Sequence, residues 1–282
     1  MFVISDAYLQ NLIAEDIPYF DLSTHLLNIN DKQGLISYYT REECVLCGSE
    51  EAARILSLLG AKVTMQKPSG TRLAANETFL EACGNAGALH AAWKVCLNIC
   101  DHYSAVATKT ARIVAAAHAI RPGLPVLTTR KSLPGTKPLM TKAVVVGGAS
   151  PHRLGLCETV LFFNNHSAFV DGFEGLLKRL PAIRVAACEK KIFVETNADG
   201  AFALLEGTRL VDGIQFDKLT PEELCELVPK LRALNPEVTL IAAGGINENN
   251  VGDFAKTGVD GLATTALFTA KPLDMSAKIV PN

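Results

Sequence analysis

The chain has 282 residues, 49% of them hydrophobic and 20% charged, with 27 Lys and Arg against 29 Asp and Glu. Such figures describe a globular protein of one or two domains with a sizeable core, and they exclude a disordered or fibrous chain. The net charge of −2 argues against general nucleic-acid binding, the apolar runs fall far short of the roughly 20 residues that cross a bilayer, and no basic leader opens the sequence, so a cytoplasmic location is expected.

Residues 1 to about 104 mix helical segments with short β-branched runs. Leu89, Trp93, Val95, Cys96, Ile99 and Cys100 are spaced for a helix over Ala86 to Tyr103. Cys44 and Cys47 form the only CxxC in the chain, without a second pair or a histidine to complete four zinc ligands. Most of the eight cysteines, including Cys96, Cys100, Cys188 and Cys225, lie in periodic apolar segments and read as buried thiols.

Beyond about residue 105 the rhythm changes to short apolar strands separated by helical stretches. Strands are expected at Val126 to Thr129, Ala143 to Gly147, Thr159 to Phe163, Ile192 to Glu195, Gly213 to Phe216, Leu240 to Ala243 and Gly261 to Thr264. Helices are expected at Ala168 to Leu180, Ala198 to Leu205, Thr220 to Leu234 and Asn249 to Thr257. Thr220 with Glu223 makes a capping box, and Pro221 takes the favoured first helical position. Alternation of this kind implies a parallel sheet with buried strands. Short, regularly spaced strands with no GxGxxG favour an α/β barrel of about seven strands over an open sheet.

No Asp or Glu occurs in the 56 residues between Asp101 and Glu158, where an even spread of acids would put about six, while eight cations do. They are Lys109, Arg112, Arg121, Arg130, Lys131, Lys137, Lys142 and Arg153, and the asymmetry points to a small polyanion as ligand. Arg130 and Lys131 follow an apolar run and precede a Leu-Pro-Gly turn; an Arg fork grips a carboxylate or phosphate through two hydrogen bonds, and the Lys adds a point charge. The plain alternative is a solvated surface turn. His152 and Arg153 lie between small residues that let a ligand approach the backbone. Glu195 and Asp217 end predicted strands, where carboxylates bind sugar hydroxyls or a Mg²⁺ that accompanies phosphates, or simply face water. Ala243-Gly244-Gly245 before a helix and Thr264-Thr265 after the last strand have the character of the phosphate loops at the end of a barrel.

Taken together, Thr129-Arg130-Lys131-Ser132-Leu133-Pro134-Gly135, His152-Arg153 within Gly147 to Gly155, Asn165-His166, Phe216-Asp217 and Ala242 to Asn247 resemble quinolinate phosphoribosyltransferase, the carboxylating nicotinate-nucleotide pyrophosphorylase. The resemblance covers nearly the whole chain, and within the family it is closest to the ModD branch of pyrophosphorylase-like proteins associated with molybdate transport. It implies an N-terminal α/β sandwich domain over 1–104, completed by 271–282, and an incomplete barrel over 105–270. It also implies a homodimer with a shared active site, and transfer of phosphoribose from phosphoribosyl pyrophosphate (PRPP) to quinolinate with Mg²⁺. Arg130, His152 and Arg153 would hold the pyridine carboxylates, with Lys131, Glu195 and Asp217 facing ribose, pyrophosphate and metal.

Departures from the family pattern bear on the acceptor. Lys94 stands where the family has an Arg reaching into the partner's site, Phe163 where it has a Lys, and Ala243 and Thr265 replace the small Ser and Gly expected in the phosphate loops. Loss of one cation from a dicarboxylate site costs about 1.5–3 kcal/mol, the worth of a hydrogen bond to a charged group. The expectation is therefore a phosphoribosyltransferase acting on quinolinate or a related carboxylated ring; the alternative is an anion- or nucleotide-binding protein on the same scaffold.

Overall fold

A computed structural model describes residues 2–207 and 210–282, which divide into two compact units. The first comprises 1–111, 133–148 and 268–282; the second comprises 112–132 and 149–267. No helix among the described residues is long and apolar enough to cross a membrane.

The first unit opens with helices α1 (Asp6–Asp16) and α2 (Leu22–Leu26), followed by β1 (Gln33–Thr40), β2 (Cys44–Val45), α3 (Ser49–Leu58), β3 (Lys62–Gln66), β4 (Arg72–Leu73) and β5 (Thr78–Asn85). β13 (Met275–Pro281) joins β1, β5 and β3 in one antiparallel sheet of order β13-β1-β5-β3. Along β1 the residues Gly34, Ile36, Tyr38 and Thr40 are buried and their neighbours are not, the two-residue period of a strand with one covered face. Cys44, Cys47, Cys96 and Cys100 are buried free thiols, whereas Cys157, Cys188 and Cys225 are exposed, against the expectation that most would be buried. Desolvation raises the Cys44 thiol and takes Cys47 to about 12, the opposite of what a thiolate metal ligand needs.

One expected helix forms and runs further than expected, and one expected strand is a helix. The helix predicted over 86–103 is α4, Ala86–Ile120; it crosses the expected domain boundary because no Gly or Pro interrupts it between Gly87 and Pro122 and its buried positions continue through Val106, Ile113 and Ala117. Ala143 to Gly147 is not a strand but the end of helix α5 (Lys137–Val146), which belongs to the first unit. An unbroken apolar run has no period of its own; Leu139, Met140, Ala143 and Val144 together give the helical stripe, with Pro138 at its start. The Lys142 ammonium on that stripe is buried and donates to Glu50 and Glu51 of α3 at 2.8 and 2.6 Å.

In the second unit run β6 (Val126–Thr128), β7 (Ser150–Pro151), β8 (Val160–Phe162), α6 (Asn164–Ser167), α7 (Gly172–Ala186), β9 (Ile192–Glu195), α8 (Ala198–Gly207), β10 (Gly213–Asp217), α9 (Pro221–Leu234), β11 (Thr239–Ala243), α10 (Val251–Ala255) and β12 (Gly261–Thr264). The helix expected from Ala168 instead begins at Gly172, because Asp171 and Gly172 both take left-handed backbone and break it from α6. The α9 capping box forms as expected, Glu223 N–H donating to Thr220 at 3.2 Å and Thr220 N–H to the Glu223 carboxylate at 2.7 Å.

All seven strands are parallel, in the order β7-β6-β12-β11-β10-β9-β8. The last strand pairs with the first, and the one unpaired seam lies between the edge strands β7 and β8. Across that seam the His152 ring stands edge-on to Phe193 of β9, centroids 6.0 Å apart, and Arg153 donates to the Thr159 carbonyl at 3.3 Å. The sheet is thus rolled into an incomplete seven-stranded barrel. Leu161, Phe193, Ile241, Ala243 and Ala263 fill its interior, with Leu127 and Phe163 packed against them.

Candidate active site

Strand register sets the height of every candidate residue. The final rungs pair Thr128 with Thr264 and Pro151, Ala263 with Ala243, and Ala243 with Asp217, and two residues lower on β10 Gln215 pairs with Glu195. Residues just beyond these rungs leave the barrel at one rim, and there they enclose a cavity of about 560 Å³. The rim is the carboxyl end of the strands, where parallel barrels carry their chemistry.

One wall is cationic. Arg130 and Lys131 follow β6, and His152 and Arg153 follow β7. Arg153 is only 9% exposed, and its guanidinium lies 6.0 Å from the Phe163 ring centroid. Desolvation, and then the like charge of Arg130, lower the Arg153 pKa, so this wall pays for its positive charge and gains from an anion. Desolvation also lowers His152, which favours the neutral imidazole; its Nε2 is buried without a hydrogen-bond partner among the described residues.

Across the cavity stand Glu195 and Asp217. Desolvation raises the Glu195 carboxyl, and Asp217 adds to the effect; Gln215, donating at 2.6 Å, and the Lys131 charge act against it. The two carboxylates also wall a second cavity, with Thr196, Asn197 and Asp199.

The third wall is backbone. Gly244 and Gly245 both have positive φ, 85° and 75°. A Cβ on Gly244 would fall 2.5 Å from the Asp217 carboxylate and 2.6 Å from the Lys218 nitrogen, so glycine is required by both conformation and space. Thr264 donates to the Ile246 carbonyl at 2.5 Å and accepts from Ala266 N–H at 3.0 Å, while the Thr265 and Thr129 hydroxyls meet at 2.9 Å. These bonds tie the last loop to the glycine loop and to the loop that carries Arg130.

Thirteen residues carry the expected roles, and the cavity gathers all but one of them. Lys94 lies exposed on α4 in the first unit, its ammonium 4.9 Å from the Trp93 ring centroid. Nor do the remaining cations of the acid-free window gather here: Lys142 is paired with Glu50 and Glu51, Lys109 donates to the Thr269 carbonyl at 2.6 Å, and Arg121 to the Val259 carbonyl. Gln215 and Lys218 line the cavity without a role assigned from sequence. Gln215 is a polar residue inside an apolar strand, a signal that was legible; Lys218 closes the Phe-Asp-Lys end of a predicted strand, where polar groups meet ligands, and no ligand was assigned to it.

Residues 106–278 match the family model of the quinolinate phosphoribosyl transferase C-terminal domain, and residues 21–104 that of the N-terminal domain. The chain belongs to the quinolinate phosphoribosyltransferase family. It is 38% identical over 260 residues to the ModD protein of Rhodobacter capsulatus, provisionally called a pyrophosphorylase, covering 92% of this chain and 98% of that one. The NadC structure from Streptococcus pyogenes superposes with a TM-score of 0.88 at 26% identity, covering 100% of both chains. The nicotinate-nucleotide pyrophosphorylase of Francisella tularensis gives a TM-score of 0.87 at 26% identity, covering 99% of this chain and 98% of that one. Membership makes this quinolinate phosphoribosyltransferase relative a pentosyl-transferring enzyme.

Proposed function

We propose that the chain transfers phosphoribose from PRPP to quinolinate or a related pyridine carboxylate and releases pyrophosphate. The observation that carries this reading is the opposition, within one cavity, of the Arg130–Arg153 wall to the Glu195–Asp217 wall, with the glycine and threonine loops between them. A ring nitrogen bonds to the anomeric carbon as the bond to pyrophosphate breaks. Positive charge grows on the ribose and negative charge on the leaving group, so carboxylates on one side and cations on the other each favour the transition state over the bound substrates. Arg130 and Arg153 would hold the acceptor's carboxylate, and buried neutral His152 would offer its free Nε2 to the same ring.

Mg²⁺ accompanies PRPP in this reading. The donor set suits it: Glu195 keeps one oxygen free of Gln215, Asp217 is exposed at the rim, and no group of three or more His, Cys, Asp or Glu forms a cage among the described residues. Mg²⁺ is commonly held by one or two carboxylates plus substrate phosphates and water. When bound it would neutralise phosphate charge, and Glu195 and Asp217 would hold it.

Phe163 supports a shift of acceptor. Its ring stacks on His166 at 5.7 Å, and its own N–H donates to His166 Nδ1 at 3.0 Å, which fixes an apolar surface beside Arg153. In a homodimer, Lys94 would serve a neighbouring copy's site.

The test is pyrophosphate release from PRPP and Mg²⁺ against quinolinate, nicotinate and other carboxylated rings. Release that depends on one acceptor names the substrate. Absence of release with every ring, together with absence of PRPP binding, would refute the reading.

A further inference from the structure

Lys218 follows Asp217 at the end of β10, lines the cavity, and takes left-handed backbone at φ 66°. That region is costly for a lysine, which has neither the freedom of glycine nor the short polar side chain with which Asn and Asp relieve it. The conformation is enforced by a hydrogen bond from Lys218 N–H to the Ala243 carbonyl at 2.8 Å, across to the strand that leads into Gly244-Gly245. Its consequence is where the side chain goes. A point one Cβ length from Gly244 is 2.8 Å from Lys218 Cγ and 2.5 Å from the Asp217 carboxylate, so the base of the lysine stem and the carboxylate both lie against the glycine loop. The residue is exposed, and its ammonium has no ion-pair partner among the described residues. A strained backbone thus places an unpaired cation at the cavity beside the Gly244-Gly245 loop, and such strain concentrates where a site must hold a geometry that folding alone would not choose.

We infer that Lys218 binds a phosphate group of the substrate beside the Gly244-Gly245 loop. This inference rests on the phosphoribosyl reading and extends it to a residue outside the motifs that suggested it. A lysine here acts as a point charge on a flexible stem, suited to a phosphate rather than to a planar carboxylate.

The test is calorimetric titration of the intact protein with inorganic pyrophosphate and, separately, with ribose 5-phosphate, both with Mg²⁺. Wild type is compared with Lys218→Met, Lys218→Arg and Lys218→Gly. Lys218→Met should bind one or both ligands about tenfold more weakly, the loss of a single charge-assisted contact, and the ligand affected tells which phosphate the ammonium meets. Lys218→Arg should keep most of the affinity. Lys218→Gly should lose it as Met does yet melt at a higher temperature than wild type, because glycine occupies φ 66° without strain. Unchanged affinity of Lys218→Met for both ligands would overturn the inference while leaving the phosphoribosyl reading intact. A Lys218→Gly protein that melts lower and binds normally would assign the residue a structural role only. Failure of wild type to bind either ligand would overturn both.

Discussion

The two rims of the barrel use similar residues to opposite ends. At the amino-terminal rim two arginines, Arg184 and Arg232, are each matched by a carboxylate. Asp212, just before β10, accepts from Ile192 N–H at 2.7 Å and from Arg184 of α7 at 2.6 Å; Asp260, just before β12, accepts from Leu240 N–H at 2.7 Å and from Arg232 of α9. The device is the same twice: one carboxylate caps the start of the neighbouring strand and anchors the helix that precedes that strand. At the carboxyl-terminal rim Arg130, Lys131 and Lys218 have no ion-pair partner among the described residues, and Arg153 is desolvated beside a like charge. Closed pairs hold a barrel together, whereas charges left open at a common height hold something else. The comparison separates stability from function on one scaffold.

The sharpest way to break that separation is Asp217→Asn. Loss of one preorganised charge at the site of charge development should lower kcat by about 10²–10³-fold, the size seen when a single stabilising group is removed, with Tm unchanged. Arg184→Met at the other rim should do the reverse. It leaves the partly buried Asp212 with one partner fewer and should cost about 1.5–3 kcal/mol in denaturant unfolding, with kcat/KM of the folded protein intact. The pH dependence has a definite sign. The Asp212 carboxyl is desolvated, but the Arg184 and Ile192 hydrogen bonds outweigh this and hold its pKa below the ordinary 3.8. Its stabilisation is therefore complete above pH 3.8 and is lost as pH falls through the lower folded value, a loss that Arg184→Met should shrink.

Within the functional rim, Phe163→Lys places a cation beside Arg153 and should raise affinity for a dicarboxylate ring about tenfold, at the expense of apolar packing against the barrel's interior cluster. The smallest effect concerns Glu195. Burial lifts its carboxyl above the ordinary 4.5, so the acid limb of kcat/KM should lie above that pH; Lys131 opposes the shift, and Lys131→Met should move the limb higher still.

Six of the seven barrel strands were legible because each is a short apolar run that ends in polar residues at the functional rim. The seventh, Ser150–Pro151, was not, since two residues have no period, and its place was taken by the apolar run 143–147, which helix and strand explain equally well until Leu139 and Met140 are counted with it. The acid-free window misled in a related way. Lys142 looks unpaired along the chain only because Glu50 and Glu51 lie about 90 residues earlier; charge pairing is a property of the fold, and a local count of acids does not see it. Arg130, Lys131, His152 and Arg153 were found because strand ends can be read from sequence. Lys218 was legible as the end of a Phe-Asp-Lys strand but received no role, because what sets it apart from its neighbours is a backbone angle.

The comparison of rims meets its most direct test in one assay of acceptor-dependent pyrophosphate release, run side by side on wild type, Asp217→Asn and Arg184→Met below the melting temperature of all three. The account predicts release by wild type and by Arg184→Met at similar rates, with Asp217→Asn reduced at least a hundredfold at unchanged Tm. Equal release by Asp217→Asn and wild type, or a loss confined to Arg184→Met, would contradict it.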